Sequence, residues 1–126
     1  MKEKKDGLII NVSSWSGNHV SLLSGVSYTS SKHALNAMTE TINMKYCNLG
    51  IRATALCPGE VATGILDKRP KKLSSEQKNK MLQPDDLGQT IVFLCQMPKH
   101  VCINELTISP TCIEDILQIS GLKNYK

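Results

Sequence analysis

The sequence is poor in aromatic residues, with one tryptophan (Trp15), one phenylalanine (Phe93) and three tyrosines among 126 residues. That leaves little material for stacking bases. No zinc-finger or RNA-binding motif accompanies the lysines, so no nucleic-acid partner is expected. The five cysteines, Cys47, Cys57, Cys95, Cys102 and Cys112, contain no Cys-x-x-Cys pair. An odd set without close pairs argues against a disulfide framework, a redox pair or a zinc pair, and leaves reduced, mostly buried thiols as the expectation. Long hydrophobic runs are missing as well. The first, Leu8 to Ile10, ends at Asn11. It is too short for a signal peptide or a membrane span, so a cytoplasmic protein with no membrane span is expected.

What is present is ordinary globular material, 40% hydrophobic and 21% charged, in a length suited to one domain with a modest core. Fifteen Lys plus Arg against 11 Asp plus Glu give a formal charge of +4, with crowding at Lys2, Lys4 and Lys5 and at Lys68, Arg69, Lys71 and Lys72. An excess this small is no polyanion-binding signature, and the second cluster reads first as a solvated flap.

"GLIINVSS", residues 7–14, is a continuous Ile/Val-rich run that dissolves into Ser and Gly, which reads as a buried strand followed by a loop over 15–27. From Tyr28, Ala34, Leu35, Ala37, Met38, Ile42 and Tyr46 recur at helical spacing, and "NLG" at 48–50 supplies a glycine stop. Met38, Ile42 and Met44 read as packing residues. "IRATALCPG", 51–59, is a second strand, and 60–83 reads as a mobile loop carrying a short helix. Pro84, Asp85 and Asp86 open a helix with Leu87, Ile91 and Leu94 that stops at Pro98; "VCINELTIS", 101–109, is a third strand, and 111–126 has no assignment. Strands alternating with helices predict an α/β fold with the strands side by side in one parallel sheet, in a single domain over 1–126.

In such a sheet, ligands sit beyond the carboxyl ends of the strands. Those ends are Ser13 with Ser14, Pro58 with Gly59, and Ile108 to Pro110. "YTSSK", residues 28–32, starts the long helix beside the first of them. Tyr28 and Lys32, four apart, share a helix face, and an ammonium near a phenol favours the phenolate. A tyrosine so placed can exchange a proton with an alcohol or carbonyl oxygen, and a serine hydroxyl can hold the same oxygen. Tyr-x-x-x-Lys alone is weak, since chance supplies roughly 0.2 such pairs in a chain of this composition.

"GLIINVSS", "YTSSK" and "GIRATALCPGEVAT", in this order, resemble the C-terminal catalytic half of the short-chain dehydrogenase/reductase family, over about residues 7–109. The resemblance implies a partial doubly wound, Rossmann-like parallel sheet. It also implies an enzyme moving hydride between NAD or NADP and a small-molecule secondary alcohol or carbonyl compound. It makes Tyr28 the general acid/base and Lys32 both the cation beside it and a ligand of the nicotinamide ribose. Ser14, rather than Ser13, orients the substrate oxygen. Pro58, Gly59, Val61 and Thr63 would meet the nicotinamide, with Tyr28 and Lys32 completing the cofactor contacts. No metal site is implied. Residues 62–83 would form the substrate lid, His19 would border the substrate, and the long helix would pair subunits in a homo-oligomer. His19, His33 and His100 also have the plainer reading of exposed side chains.

The family's glycine-rich Thr-Gly-x-x-x-Gly-x-Gly turn and its Asn-Asn-Ala-Gly strand end have no counterpart among the eight glycines here. The expectation is a fragment, or a truncated product, of a protein about twice as long. The alternative is a truncated, non-catalytic family member that keeps the helix over 28–48 and acts, if at all, through subunit pairing.

Overall fold

The computed structural model describes residues 1–20, 22–68 and 72–111. Arg69, Lys71, Cys112 and all but the first residue of the 111–126 tail lie outside them. β1 (Gly7–Val12), β2 (Ile51–Pro58) and β3 (Glu105–Ile108) form a parallel sheet in the order β1-β2-β3, as expected. The fold is α/β. β1 runs in register from Gly7 opposite Ile51 to Val12 opposite Leu56, and β3 joins β2 only from Ala55 onward.

β2 is the centre of the core: Ile51, Ala53, Thr54, Ala55, Leu56 and Cys57 are all buried. Alternate residues of a strand face opposite sides of the sheet. Ala53, Ala55 and Cys57 therefore line one face with small side chains, while Leu8, Ile10, Leu56, Leu106 and Ile108 make the other apolar.

α1 (Gly25–Tyr46) covers the small-residue face and begins three residues before Tyr28. The Ser- and Gly-rich stretch that reads as loop thus contributes the first turn of the helix. The helix meets the sheet through polar side chains. Asn36, Thr39 and Asn43, spaced by three and four, fall on one helical stripe. Asn11 Nδ2 donates to Thr39 Oγ1 at 2.8 Å, and Asn36 Nδ2 reaches Cys57 Sγ at 3.6 Å. Asn43 bridges the backbone of Ala53, donating to its carbonyl at 2.7 Å and accepting from its N–H at 2.6 Å. β3 does not yet flank β2 at that level, so the Asn43 amide takes the place of a strand neighbour. With the inner stripe so occupied, Met38 and Met44 turn outward, 48% and 76% exposed, and do not pack in the core as their spacing suggests.

The helix yields to a 3-10 turn (Cys47–Leu49) and stops at Gly50, whose φ of 63° is left-handed. A Cβ there would run into the Lys5 carbonyl oxygen, so both conformation and space call for glycine.

Within 60–83, the described residues 60–68 and 72–83 make a folded segment despite their polar composition. A 3-10 turn (Gly64–Lys68) and α2 (Ser75–Asn79), the latter started by a Ser74/Gln77 capping box, are joined by a Lys78–Asp67 ion pair at 2.7 Å. Leu66 and Met81 are buried together with Ala62 and Leu73 against them. Two backbone bonds, Ala62 N–H to Leu82 O and Leu82 N–H to Glu60 O, clamp the base. α3 (Pro84–Gln96) follows the expected bounds, with Pro84, Asp85 and Asp86 in its first turn and Leu94 buried. Arg52 then ties β2 to the segment before β3 by donating to the Pro98 and Val101 carbonyls at 2.6 and 3.2 Å.

Candidate active site

The carboxyl ends of the three parallel strands share one rim, and the sequence-derived candidates gather there. Ser13, buried, continues the ladder by donating its N–H to Leu56 O at 2.7 Å. Its hydroxyl contacts the Lys32 carbonyl at 3.4 Å, so it faces the helix. Ser14 is half-buried and caps the Trp15–Gly17 turn, its Oγ accepting from the Ser16 N–H at 3.1 Å. This bond fixes the Ser14 hydroxyl at the strand end. The inward serine packs and the next one caps the turn, a division that strand alternation produces by itself.

Tyr28, 45% exposed, stands in the first turns of α1, and Lys32 follows one turn later on the same face. Lys32 Nζ lies 5.6 Å from the centre of the Tyr28 ring and donates to the Val12 carbonyl at 2.9 Å. Lys32 thus links the tyrosine's helix to the end of β1, two residues before Ser14. An ammonium has three donors. The bond to Val12 uses one of them.

Pro58 ends β2, buried, and Gly59 donates its N–H to Ile108 O at 2.8 Å. A Cβ on Gly59 would come within 3.3 Å of Ser109 Oγ and 3.4 Å of Pro110 Cδ, so glycine permits this close approach of two strand ends. Val61 bridges to Leu82, and Thr63, exposed, starts the 3-10 turn by accepting from the Leu66 N–H at 3.0 Å. Pro58 and Gly59 thus end β2 at the rim, and Val61 and Thr63 open the folded segment that continues from it.

Beneath the serines, burial pushes the Cys57 thiol above its ordinary range, partly opposed by a hydrogen bond from Asn36. Cys57 is thus a neutral packing group. His19 stacks on Trp15 with ring centres 4.1 Å apart. His33 Nδ1 lies 3.0 Å from the Thr29 carbonyl on α1. Among the described residues, no group of His, Cys, Asp or Glu could hold a metal ion, and no helix is long and apolar enough to cross a membrane.

Asn18, Asn36 and Glu105 were not marked by sequence reasoning. Asn36 Nδ2 donates to Asn18 Oδ1 at 2.7 Å, and Asn18 Nδ2 donates to Glu105 Oε1 at 2.6 Å. Asn36 carries the one available signal, since it lies four residues beyond Lys32 on the same helix face.

A parallel α/β sheet with a polar rim of this kind defines a Rossmann-like class of protein. Residues 1–74 match the short chain dehydrogenase family, and the chain belongs to that family. It is similar to dehydrogenase/reductase SDR family member 11 of Homo sapiens, 34% identical over 121 residues, covering 88% of this chain and 46% of that protein. It is also similar to the crystal structure of a betaketoacyl-ACP reductase from Bacteroides thetaiotaomicron, at 35% identity and a TM-score of 0.70, covering 90% of this chain and 46% of the other. An alcohol dehydrogenase from Thermococcus sibiricus, solved with 5-hydroxy-NADP, is 26% identical with a TM-score of 0.70 over 87% of this chain and 44% of its own. The chain spans about half the length of these relatives.

Proposed function

We propose that the chain is the C-terminal, catalytic part of a nicotinamide-dependent oxidoreductase acting on a secondary alcohol or carbonyl compound. The observation that carries this reading is the placement of Tyr28 and Lys32 on one face of α1, with Lys32 bonded to the end of the strand that leads into Ser14.

When bound, NAD or NADP supplies the hydride acceptor or donor. In alcohol oxidation, Tyr28 Oη takes the alcohol proton while the carbon loses hydride, leaving a carbonyl; in reduction, the same oxygen returns the proton. Lys32 stands beside the Tyr28 ring and offers its remaining donors to the ribose hydroxyls. Ser14 Oγ holds the substrate oxygen within reach of Tyr28, and Pro58, Gly59, Val61 and Thr63 flank the nicotinamide. The donor set fits such a group, because the Lys32 ammonium keeps donors beyond its bond to Val12.

The segment 62–83 is the substrate lid in this reading. Lys68 and Lys72, both exposed, are the part of its basic cluster within the described residues. The outward Met38 and Met44 on α1 suit a homo-oligomeric contact.

The test is turnover of a panel of secondary alcohols with NAD+ and with NADP+, followed by the absorbance of the reduced nicotinamide. Turnover with either supports the reading; neither turnover nor dinucleotide binding contradicts it. A second reading is favoured by the outward Met38 and Met44: a non-catalytic family member that pairs with other subunits through α1. It predicts no turnover, weak dinucleotide binding and mixed dimers in sedimentation.

A further inference from the structure

Asn18 connects three elements. It lies just past the Trp15–Gly17 turn that Ser14 starts, and its side-chain amide is spent in two directions. Its oxygen accepts from Asn36 on α1 at 2.7 Å, and its nitrogen donates to Glu105 on β3 at 2.6 Å. Glu105 stands opposite Ala55, and Thr107, two residues on and hence on the same face, places its hydroxyl 3.5 Å from the same Glu105 oxygen. The carboxylate therefore spans β2 to hold a loop that emerges from β1.

The turn itself leaves little room for adjustment. Ser14 O accepts from the Gly17 N–H at 2.8 Å, and the N–H groups of Asn18 and His19 both donate to Trp15 O at 3.1 Å. Ser16 Oγ is bonded to Ser24 Oγ at 2.8 Å, just before α1. A Cβ on Gly17 would meet Ser13 Oγ at 2.7 Å and Asn36 Nδ2 at 2.8 Å, so the turn already rests against the helix. At its near end it is anchored by the β1–β2 ladder. At its far end the anchors are Asn36 and, through a short charge-assisted bond, Glu105.

We propose that Glu105, acting through Asn18, is a positioning residue that holds the Ser14 turn in place. The consequence for turnover rests on the role of Ser14 proposed above. A hydroxyl that must hold a substrate oxygen is sensitive to displacements of an ångström or less. The bond to Glu105 is exposed to solvent, so its loss loosens the turn without unfolding the chain.

The experiment measures kcat, KM and dinucleotide affinity together with amide hydrogen exchange over residues 15–19, in wild type, Glu105→Ala, Glu105→Gln, Asn18→Asp, the double variant Asn18→Asp/Glu105→Gln, and Ser14→Ala. Glu105→Ala lowers kcat about fivefold and speeds exchange at Gly17, Asn18 and His19 by a similar factor. Dinucleotide affinity and the denaturation midpoint stay at wild-type values. Glu105→Gln keeps the acceptor and recovers most of the loss. Asn18→Asp sets two carboxylates against each other and is impaired. The double variant restores slow exchange, because the new amide donates to the new carboxylate, whose second oxygen still accepts from Asn36.

If Glu105→Ala exchanges like wild type over 15–19, or if the double variant exchanges no more slowly than Asn18→Asp, the proposal is overturned. If Ser14→Ala turns over at the wild-type rate while Glu105→Ala still speeds exchange, the serine's role fails and the strut stands as a support of the turn. If Ser14→Ala is inactive and Glu105→Ala changes neither kcat nor exchange, the strut fails and the serine's role stands.

Discussion

Lys32 and Val12 are joined across the first crossover: the Lys32 ammonium donates to the Val12 carbonyl at 2.9 Å while standing 5.6 Å from the Tyr28 ring centre. One cation therefore touches the strand end that delivers the serine and the helix that delivers the tyrosine.

Lys32→Ala removes both links. The expected outcome is a joint loss, roughly tenfold or more in dinucleotide affinity and at least as much in turnover, from hydrogen bonds made by a charged donor. Isothermal titration with NAD+ and NADP+ beside steady-state kinetics checks it; unchanged dinucleotide affinity would contradict the double role.

Gly50→Ala forces a side chain into a left-handed backbone and onto the Lys5 carbonyl oxygen. The expected cost is about 2 kcal/mol or more in chemical denaturation. An unchanged midpoint would mean that the turn after α1 relaxes freely.

Asn43→Ala leaves the Ala53 N–H and C=O without the amide that pairs with both. Loss of about 2 kcal/mol is expected, with faster hydrogen exchange at Ala53. Exchange at Ala53 as slow as in wild type would show that another group replaces the amide.

Cys57 is buried and its thiol is pushed up by that burial, whereas Cys47, Cys95 and Cys102 are exposed. In mildly alkaline iodoacetamide those three are expected to be alkylated in the native protein and Cys57 spared. The folded state holds the higher pKa, so the unfolded chain ionises first as pH rises. The stability tied to this thiol is complete below the ordinary thiol range and declines above it. Early alkylation of Cys57 would contradict its burial.

The strands, the order of the elements, the glycine stop and the rim on which the polar residues meet were legible in the sequence. Each leaves a local pattern: continuous Leu and Ile at 8–10, Pro58–Gly59 closing a strand, Pro84 with two aspartates opening a helix. The inner face of α1 was not legible, because hydrophobic spacing selects Met38 and Met44 as its packing residues. Here small side chains on β2 let the helix approach closely enough for Asn36, Thr39 and Asn43 to bond sheet groups directly. In 60–83, Leu66, Leu73, Met81 and Leu82 stand out as apolar anchors of a polar stretch, but the pairing of Leu66 with Met81 across 15 positions left no local pattern, since it depends on the Val61–Leu82 bridge and the Lys78–Asp67 ion pair. Asn18 and Glu105, 87 positions apart, left no local trace at all.

The most direct measurement of the central claim is the turnover of Tyr28→Phe beside wild type, with dinucleotide affinity measured on the same samples. The account predicts a loss of about 10²-fold or more in kcat, as removal of a general acid/base produces, with dinucleotide affinity kept. A Tyr28→Phe variant that turns over substrate as fast as wild type would contradict it.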